Sequence, residues 1–339
     1  MTQQRRYRAM QVTRPGVFEL VERDVPTPAR GEVRLRVEAC GVCHTDKWTV
    51  DGDVMPIEYP RVPGHEVVGR IDALGEGVTG WAVGQRVGVG FLAGPCGRCG
   101  ACRHGDFTRC TEQACTGVQH DGGYADMMVA LATGLVAIPD TLDAVEAAPL
   151  LCAGITMFKA LRKSKAKPGD TVAIHGIGGL GHLGVQFARK MGFRTVAVSR
   201  GADKEAAALR LGAHHYIDTE AADVAEALQA MGGASVIVST VPVPKAMSAL
   251  IGGLAPHGQL MVVGAAAETI EVSPFALVKN DVSIHGSLTG TTAESEDSLA
   301  FSALQDIHAL VETVPLADAA EGYARMMRND ARYRVVLTM

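Results

Sequence analysis

Residues 171–181 limit what this chain can fold into more than any other stretch. A short β-branched run, TVAIH (171–175), leads straight into Gly176-Ile177-Gly178-Gly179-Leu180-Gly181, and the amphipathic segment HLGVQFARKMG follows. Between a strand and a helix, each glycine of a Gly-x-Gly-x-x-Gly turn has its own task. The first makes the tight turn, the second lets the backbone approach a pyrophosphate, and the third brings helix and strand close. The helix N-terminus then attracts the anion. Gly176, Gly178, Gly179, Leu180 and Gly181 are therefore candidate cofactor-binding residues.

The same texture continues downstream. TVAVS (195–199), KEAAALRLG, HHYID, DVAEALQAMG, SVIVST, KAMSALIGGL, QLMVVG and VSIHGS alternate between strand and helix patterns. Alternation at this spacing gives a parallel sheet with helices on both faces, so the fold class is α/β with a Rossmann-type doubly wound sheet. The tip of the second strand bears on the cofactor. NAD calls for an acidic side chain about 20 residues past the turn, whereas arginine suits the 2′-phosphate of NADP. Here Ser199 and Arg200 stand at the tip, with Lys204 nearby and no carboxylate. A hydroxyl beside a guanidinium suits a phosphate dianion. That favours NADP; NAD stays open, as does the alternative that Arg200 and Lys204 are solvated charges at a helix start.

Ahead of the turn the pattern differs. Between Val33 and Val89, short alternating segments (VRLRVEA, VVGRIDALG, RVGVGF) are broken by glycine, as in an all-β module. Six of the eight cysteines lie between Cys40 and Cys110. Cys96, Cys99, Cys102 and Cys110 are spaced C-x2-C-x2-C-x7-C on a loop that also carries Gly94, Gly97 and Gly100. Such knuckles turn their sulfurs toward one point and suit tetrahedral Zn²⁺. An iron–sulfur cluster is the competitor for this spacing. The set closes on itself and leaves no open position, which marks a structural site. A second group is dispersed: Cys43 in ACGVCHTD, His65 and Glu66 in VPGHEVVG, and Cys152 in PLLCAGIT. Two thiolates and one imidazole would leave a fourth zinc position open, as a Lewis-acid site requires. Cys40 and Cys115 are read as structural thiols.

Taken together, GVCHTD, GHEVVG, the four-cysteine run, LLCAGIT and GIGGLG resemble the zinc-dependent alcohol dehydrogenases of the medium-chain dehydrogenase/reductase superfamily. The ending RNDARYRVVL resembles the cinnamyl-alcohol-dehydrogenase-like branch, whose members generally use NADP. The resemblance implies a GroES-like β-rich catalytic domain over 1–153 with a zinc lobe at about 94–112, a Rossmann domain over 154–291, and a segment 292–339 returning to the first domain. It implies two zinc ions per chain: a catalytic one on Cys43, His65 and Cys152, and a structural one on the four-cysteine run. Glu66 then becomes an alternative or outer-sphere carboxylate, Asp46 the partner of the ligand histidine, and Thr45 a proton-relay hydroxyl. His44 would face the cofactor pyrophosphate and Thr156 the nicotinamide. The implied reaction passes hydride between a primary alcohol or aldehyde, aromatic ones included, and NADP(H). Many relatives end the proton relay with a histidine five residues after the first ligand cysteine; here that position is Trp48. Solvent or Asp51 must take its place, and solvent is favoured because a carboxylate of ordinary strength is a poor base near neutrality. Trp48 and Phe91 either line the substrate pocket or simply pack the β-module.

Composition narrows the partners. With 37 acidic against 32 basic side chains the formal charge is −5, which argues against nucleic acid or an anionic membrane as the main partner. A zinc-knuckle module presenting Arg98, Arg103 and Arg109 to nucleic acid is the rival reading, and the acidic balance counts against it. No apolar run approaches the roughly 20 residues needed to span a bilayer, and a cytoplasmic homodimer or homotetramer is expected. From about Glu294 to Thr313 the pattern reads as one long helix, and RYRVVLT as a closing strand.

Overall fold

Short strands punctuated by glycine build the first part of the chain. In the computed structural model, which describes residues 6–339, these are β1 (Arg6–Arg14), β2 (Val17–Asp24), β3 (Glu32–Val42), β4 (Val67–Leu74), β5 (Arg86–Val89), β6 (Met127–Leu131) and β7 (Leu135–Ala137). Three one-turn helices, α1 (Lys47–Asp51), α2 (Gly100–Arg103) and α3 (Ala144–Ala147), interrupt them. Along β3 the alternation seen in the sequence becomes burial. Val33, Leu35 and Val37 point into the core, while Arg34 and Arg36 pair with Asp72 outside it. Each such Val or Leu contributes about 1.5–3 kcal/mol when fully buried.

The second part contains α4 (Ala153–Lys163), β8 (Thr171–His175), α5 (Gly181–Lys190), β9 (Arg194–Ser199), α6 (Glu205–Arg210), β10 (His215–Asp218), α7 (Val224–Ala230), β11 (Ala234–Ser239), α8 (Pro244–Leu250), β12 (Leu254–Val262), α9 (Pro274–Asn280) and β13 (Ser283–Gly286). All six strands are parallel, in the order β10-β9-β8-β11-β12-β13. Numbered from β8 this is 3-2-1-4-5-6, the doubly wound order, in which a ligand crevice opens where the order reverses beside the first strand. Ala173, Val196, Val198, Ile237 and Leu260 fill the core on this sheet.

The chain then continues through α10 (Thr292–Gln305), β14 (Val311–Pro315), α11 (Ala319–Met327) and β15 (Arg334–Thr338). The single helix expected to reach Thr313 is corrected here. It opens on a reciprocal cap between Thr291 and Glu294 and stops at Gln305. Asp306 closes it in the left-handed region, at φ 57°, a conformation short polar side chains tolerate. The β-branched VETVP that follows forms β14, parallel to β15. β15 lies antiparallel against β3, with Val335 opposite Val42 and Leu337 opposite Cys40. The C-terminal strand thus lies between β14 and β3 in the first sheet, and the two compact units are residues through Ile155 plus Thr289–Met339, and Thr156–Leu288. Among the described residues no single helix is long and apolar enough to cross a membrane.

Candidate active site

In the parallel-sheet unit, the Gly-rich turn sits at the C-terminal end of β8. Gly176 has φ +90°, and its N–H donates to Val198 O at 2.8 Å. A Cβ there would lie 2.5 Å from Thr240 Oγ1, and one on Gly181 would collide with the Gly176 carbonyl. Around Gly178 the space is open, which leaves backbone N–H groups accessible to an anion. At the tip of β9, Ser199 is buried and Arg200 projects outward, its Nε 3.8 Å from Glu220 Oε1. Lys204 ends the single turn Ala202–Lys204. Sequence reading placed no carboxylate at this tip, and β9 supplies none. The neighbouring β10 does, because Asp218 Oδ1 accepts from the N–H of Gly201 at 2.8 Å and of Glu220 at 2.9 Å. Thr156 is buried on α4, one turn beyond Cys152 in the chain.

In the mixed-sheet unit, four ligand residues from three distant segments converge. Cys43 follows β3 and caps the turn His44–Asp46, where its N–H donates to Asp46 Oδ2 at 2.9 Å. His65 and Glu66 lead directly into β4. Cys152 follows the turn Ala148–Leu151. One ligand atom from each of Cys43, His65, Glu66 and Cys152 lies within 4.8 Å of the others, with the two sulfurs 3.9 Å apart. Asp46 Oδ1 accepts from His65 Nδ1 at 3.0 Å, which fixes the tautomer and turns Nε2 inward. Glu66 Oε1 meets Arg334 Nη2 at 2.5 Å. His65 Nε2 and Glu66 Oε2 are buried and lack a hydrogen-bond partner.

Those two orphaned atoms test whether a metal suits this cage. An unsatisfied buried acceptor costs about 1–3 kcal/mol, and both atoms belong to residues of the converging group. Contact with the Cys152 sulfur holds the Cys43 thiol well below its ordinary range despite burial. The same contact pushes Cys152 well up. Burial works to lower the His65 pKa, but Asp46 and Cys43 outweigh it and raise the value. Burial drives the Glu66 carboxyl upward, and the Arg334 guanidinium beside it pulls the other way. Two sulfurs, one imidazole nitrogen and a carboxylate held this close together suit Zn²⁺.

The four-cysteine lobe has the same compactness with a different supply of support. Its sulfurs also lie within 4.8 Å of one another, and backbone N–H groups point at them: Cys96 to Cys110 at 3.4 Å, Cys99 to Cys96 at 3.4 Å, Cys102 to Cys99 at 3.5 Å. The N–H of Cys102 draws the Cys99 thiol down to about 6, while desolvation and the Cys99 sulfur push Cys102 up to about 12. Adjacent thiols divide one charge in this way until a cation lets all four ionise. Arg98 is taken up by Glu112, with Nη2 to Oε2 at 2.5 Å.

Trp48 and Phe91 meet edge to face at 5.7 Å between centroids, and Phe91 meets the His65 ring at 5.2 Å. They lie beside the dispersed cluster. Thr45 is half-buried and His44 exposed in the same turn. Asp51 is tied to Lys47 Nζ at 2.7 Å. Beside the dispersed cluster, Arg334 and Tyr124 escaped sequence reading, as Asp218 did at the β9 tip. Arg334, buried next to Glu66, has only the weak signal of an arginine heading the apolar run RVVL. Tyr124, whose hydroxyl donates to Asp46 Oδ2 at 2.9 Å, sits in GGYAD with nothing to mark it.

Comparison with known proteins agrees with this geometry. Residues 29–140 match the alcohol dehydrogenase GroES-like domain family and residues 179–304 the zinc-binding dehydrogenase family. The chain is 45% identical over 312 residues to alcohol dehydrogenase patD of Penicillium expansum, covering 92% of this chain and 91% of that one. It is 40% identical over 323 residues to an alcohol dehydrogenase of Geobacillus stearothermophilus, covering 94% and 96%. A cinnamyl alcohol dehydrogenase structure from Sorghum bicolor superposes with TM-score 0.89 at 30% identity, covering 98% of each chain. The chain therefore belongs to the zinc-type alcohol dehydrogenases of the medium-chain dehydrogenase/reductase superfamily, and is an oxidoreductase of alcohols and aldehydes.

Proposed function

We propose that this enzyme transfers hydride between a primary alcohol or aldehyde and NADP(H), with one catalytic and one structural zinc per chain. The observation that carries the proposal is the convergence of Cys43, His65, Glu66 and Cys152 within 4.8 Å, with two of the inward atoms unpartnered. Cys43, His65 and Cys152 hold the catalytic ion, and Glu66 stands by as an alternative or outer carboxylate, balanced by Arg334. The ion supplies Lewis-acid polarisation of the substrate oxygen. Asp46 keeps the His65 imidazole oriented, and Thr45 passes the substrate proton outward. Trp48 and Phe91 give the pocket an aromatic wall, which favours apolar and aromatic substrates.

The proton leaves to water. Asp51 is engaged by Lys47, which also holds Asp53 at 2.8 Å, so its carboxylate is committed to an ion pair. Asp51→Asn is expected to keep turnover within about twofold, since an exposed ion pair contributes little. Loss of most activity, together with loss of an ionisation from the pH–rate profile, would return the relay to Asp51.

In the cofactor unit, Gly176 to Gly181 receive the pyrophosphate, with Thr156 toward the nicotinamide. Ser199, Arg200 and Lys204 receive the 2′-phosphate. The test is an NADPH- against NADH-coupled screen of aliphatic and aromatic aldehydes, with metal analysis and sedimentation on the same sample. Two zincs per chain, a preference for NADPH, aromatic aldehydes among the better substrates, and a dimer or tetramer are expected. A preference for NADH would remove the role given to Arg200 and Lys204 but leave the metal assignment standing.

A further inference from the structure

We propose that Tyr124 is a positioning residue for the inward-facing imidazole: its hydroxyl, acting through Asp46, holds His65 with Nε2 aimed into the cage. The inference rests on the zinc assignment above. Asp46 is 2% exposed and Tyr124 fully buried, so solvent does not complete this arrangement. The two carboxylate oxygens divide the work. Oδ1 takes His65 Nδ1 at 3.0 Å, while Oδ2 takes the Cys43 N–H and the Tyr124 hydroxyl, each at 2.9 Å. Remove the hydroxyl and Oδ2 retains only the Cys43 donor, which loosens the carboxylate and, through Oδ1, the His65 ring it holds.

The tyrosine is itself held rigidly. Its N–H donates to Pro63 O at 3.1 Å, and its carbonyl accepts from Met10 N–H at 2.8 Å. The flanking Gly122 and Gly123 N–H groups donate to Val62 O at 2.7 Å and Gly64 O at 3.0 Å. The ring lies against Gly64, where φ is +100° and a Cβ would overlap it. Tyr124 therefore grips both ends of one unit: the backbone that delivers His65 and the carboxylate that orients its ring. Burial foremost, reinforced by the Asp46 charge, raises the phenol pKa well above its ordinary value, so the group stays a donor throughout the working range.

The test compares zinc-loaded wild type with Tyr124→Phe, which keeps the ring and its packing. Two quantities are read: the rate at which each zinc passes to excess chelator, and the visible spectrum after cobalt exchange. Partners of metal ligands typically change affinity by about 10–100-fold; one step further out, about tenfold faster release of one zinc is expected, with shifted cobalt bands and the four-cysteine zinc unchanged. Val33→Ala, a core truncation at the far end of β3, controls for lost packing and is expected to lower Tm without altering either release rate. Release within about twofold of wild type with unchanged cobalt bands overturns the proposal, as does equal acceleration of both zincs. A wild-type protein retaining only one zinc overturns the catalytic-metal assignment as well, before any variant is compared.

Discussion

The four-cysteine lobe collects its sulfurs from one run, residues 96–110, whereas the sulfurs of Cys43 and Cys152 come from positions 109 residues apart. The lobe is supported by its own backbone, with the N–H of Cys96, Cys99 and Cys102 aimed at neighbouring sulfurs. The dispersed cluster has side chains behind it instead: Asp46 behind His65, Arg334 behind Glu66, Tyr124 behind Asp46. A site made by local backbone needs only its own loop in order to form. A site assembled from β3, the approach to β4, the turn before α4 and the head of β15 can exist only after the whole sheet has formed. It is also the one with an orphaned nitrogen and oxygen left for something to bind.

The difference is sharpest in paired substitutions. Cys152→Ser is expected to lower kcat/KM by at least about a thousandfold, since the Lewis acid supplies several kcal/mol of the barrier reduction. Zinc content should fall from two to one while circular dichroism stays native. Cys99→Ser should also lose one zinc, yet keep activity per folded molecule within a few-fold and instead lower Tm, because structural zinc contributes folding free energy. If both variants lost activity alike, or both lost stability alike, the division of labour between the sites would be wrong.

Arg334 probes the side-chain support next. Arg334→Leu strands the fully buried Glu66 without its counter-charge, and breaking a buried pair from one side destabilises by about 3–5 kcal/mol. Replacing both partners, as Glu66→Gln with Arg334→Leu, should recover part of that loss in a urea titration. Non-recovery would mean that Arg334 matters for packing β15 rather than for its charge. Asp46→Asn follows with a smaller effect, about 10–100-fold in kcat/KM, because His65 keeps its place on the chain but loses the carboxylate that orients its ring. An Asp46→Asn enzyme with unchanged kcat/KM would show that ligand orientation is set by the backbone here too.

This contrast also explains what could be read beforehand. C-x2-C-x2-C-x7-C is a local pattern, so geometry is nearly implicit in spacing. The β8–turn–α5 motif was equally legible, since strand, glycines and helix are consecutive, with Gly176 and Gly181 closely approached and Gly178 left open. Cys43, His65 and Cys152 had meaning only as a family set, because nothing in their spacing requires β3 and the turn before α4 to be neighbours. Arg334 stayed hidden for the same reason: its partner lies 268 positions away. The false extension of α10 arose where HALVETV fits either period, and the left-handed turn at Asp306 decided the matter. Asp218 was missed because the carboxylate at the β9 tip is supplied by the adjacent strand rather than the same one.

Two buried histidines carry the comparison into the second unit and give its mildest test. His65 faces a carboxylate and is raised; His175 faces only the hydroxyl of Ser239, at 2.9 Å, and burial lowers it to about 4 from an ordinary 6.5. The folded protein thus prefers the neutral imidazole while the unfolded chain takes up a proton below 6.5. Stability from this group is complete above that value and is lost progressively as pH falls toward 4. At pH 5 the loss amounts to about 2 kcal/mol, and near pH 7 to almost nothing. His175→Asn keeps a partner for Ser239 and removes the titration. Hydrogen exchange in β8 and β11 should therefore accelerate between pH 7 and 5 in wild type more than in the variant, after correction for the intrinsic rate. Equal acceleration would mean that acid opens this sheet through some other group. Reading exchange in these two strands, rather than a global melt, separates the effect from zinc loss, which acid also promotes and which belongs to the other unit.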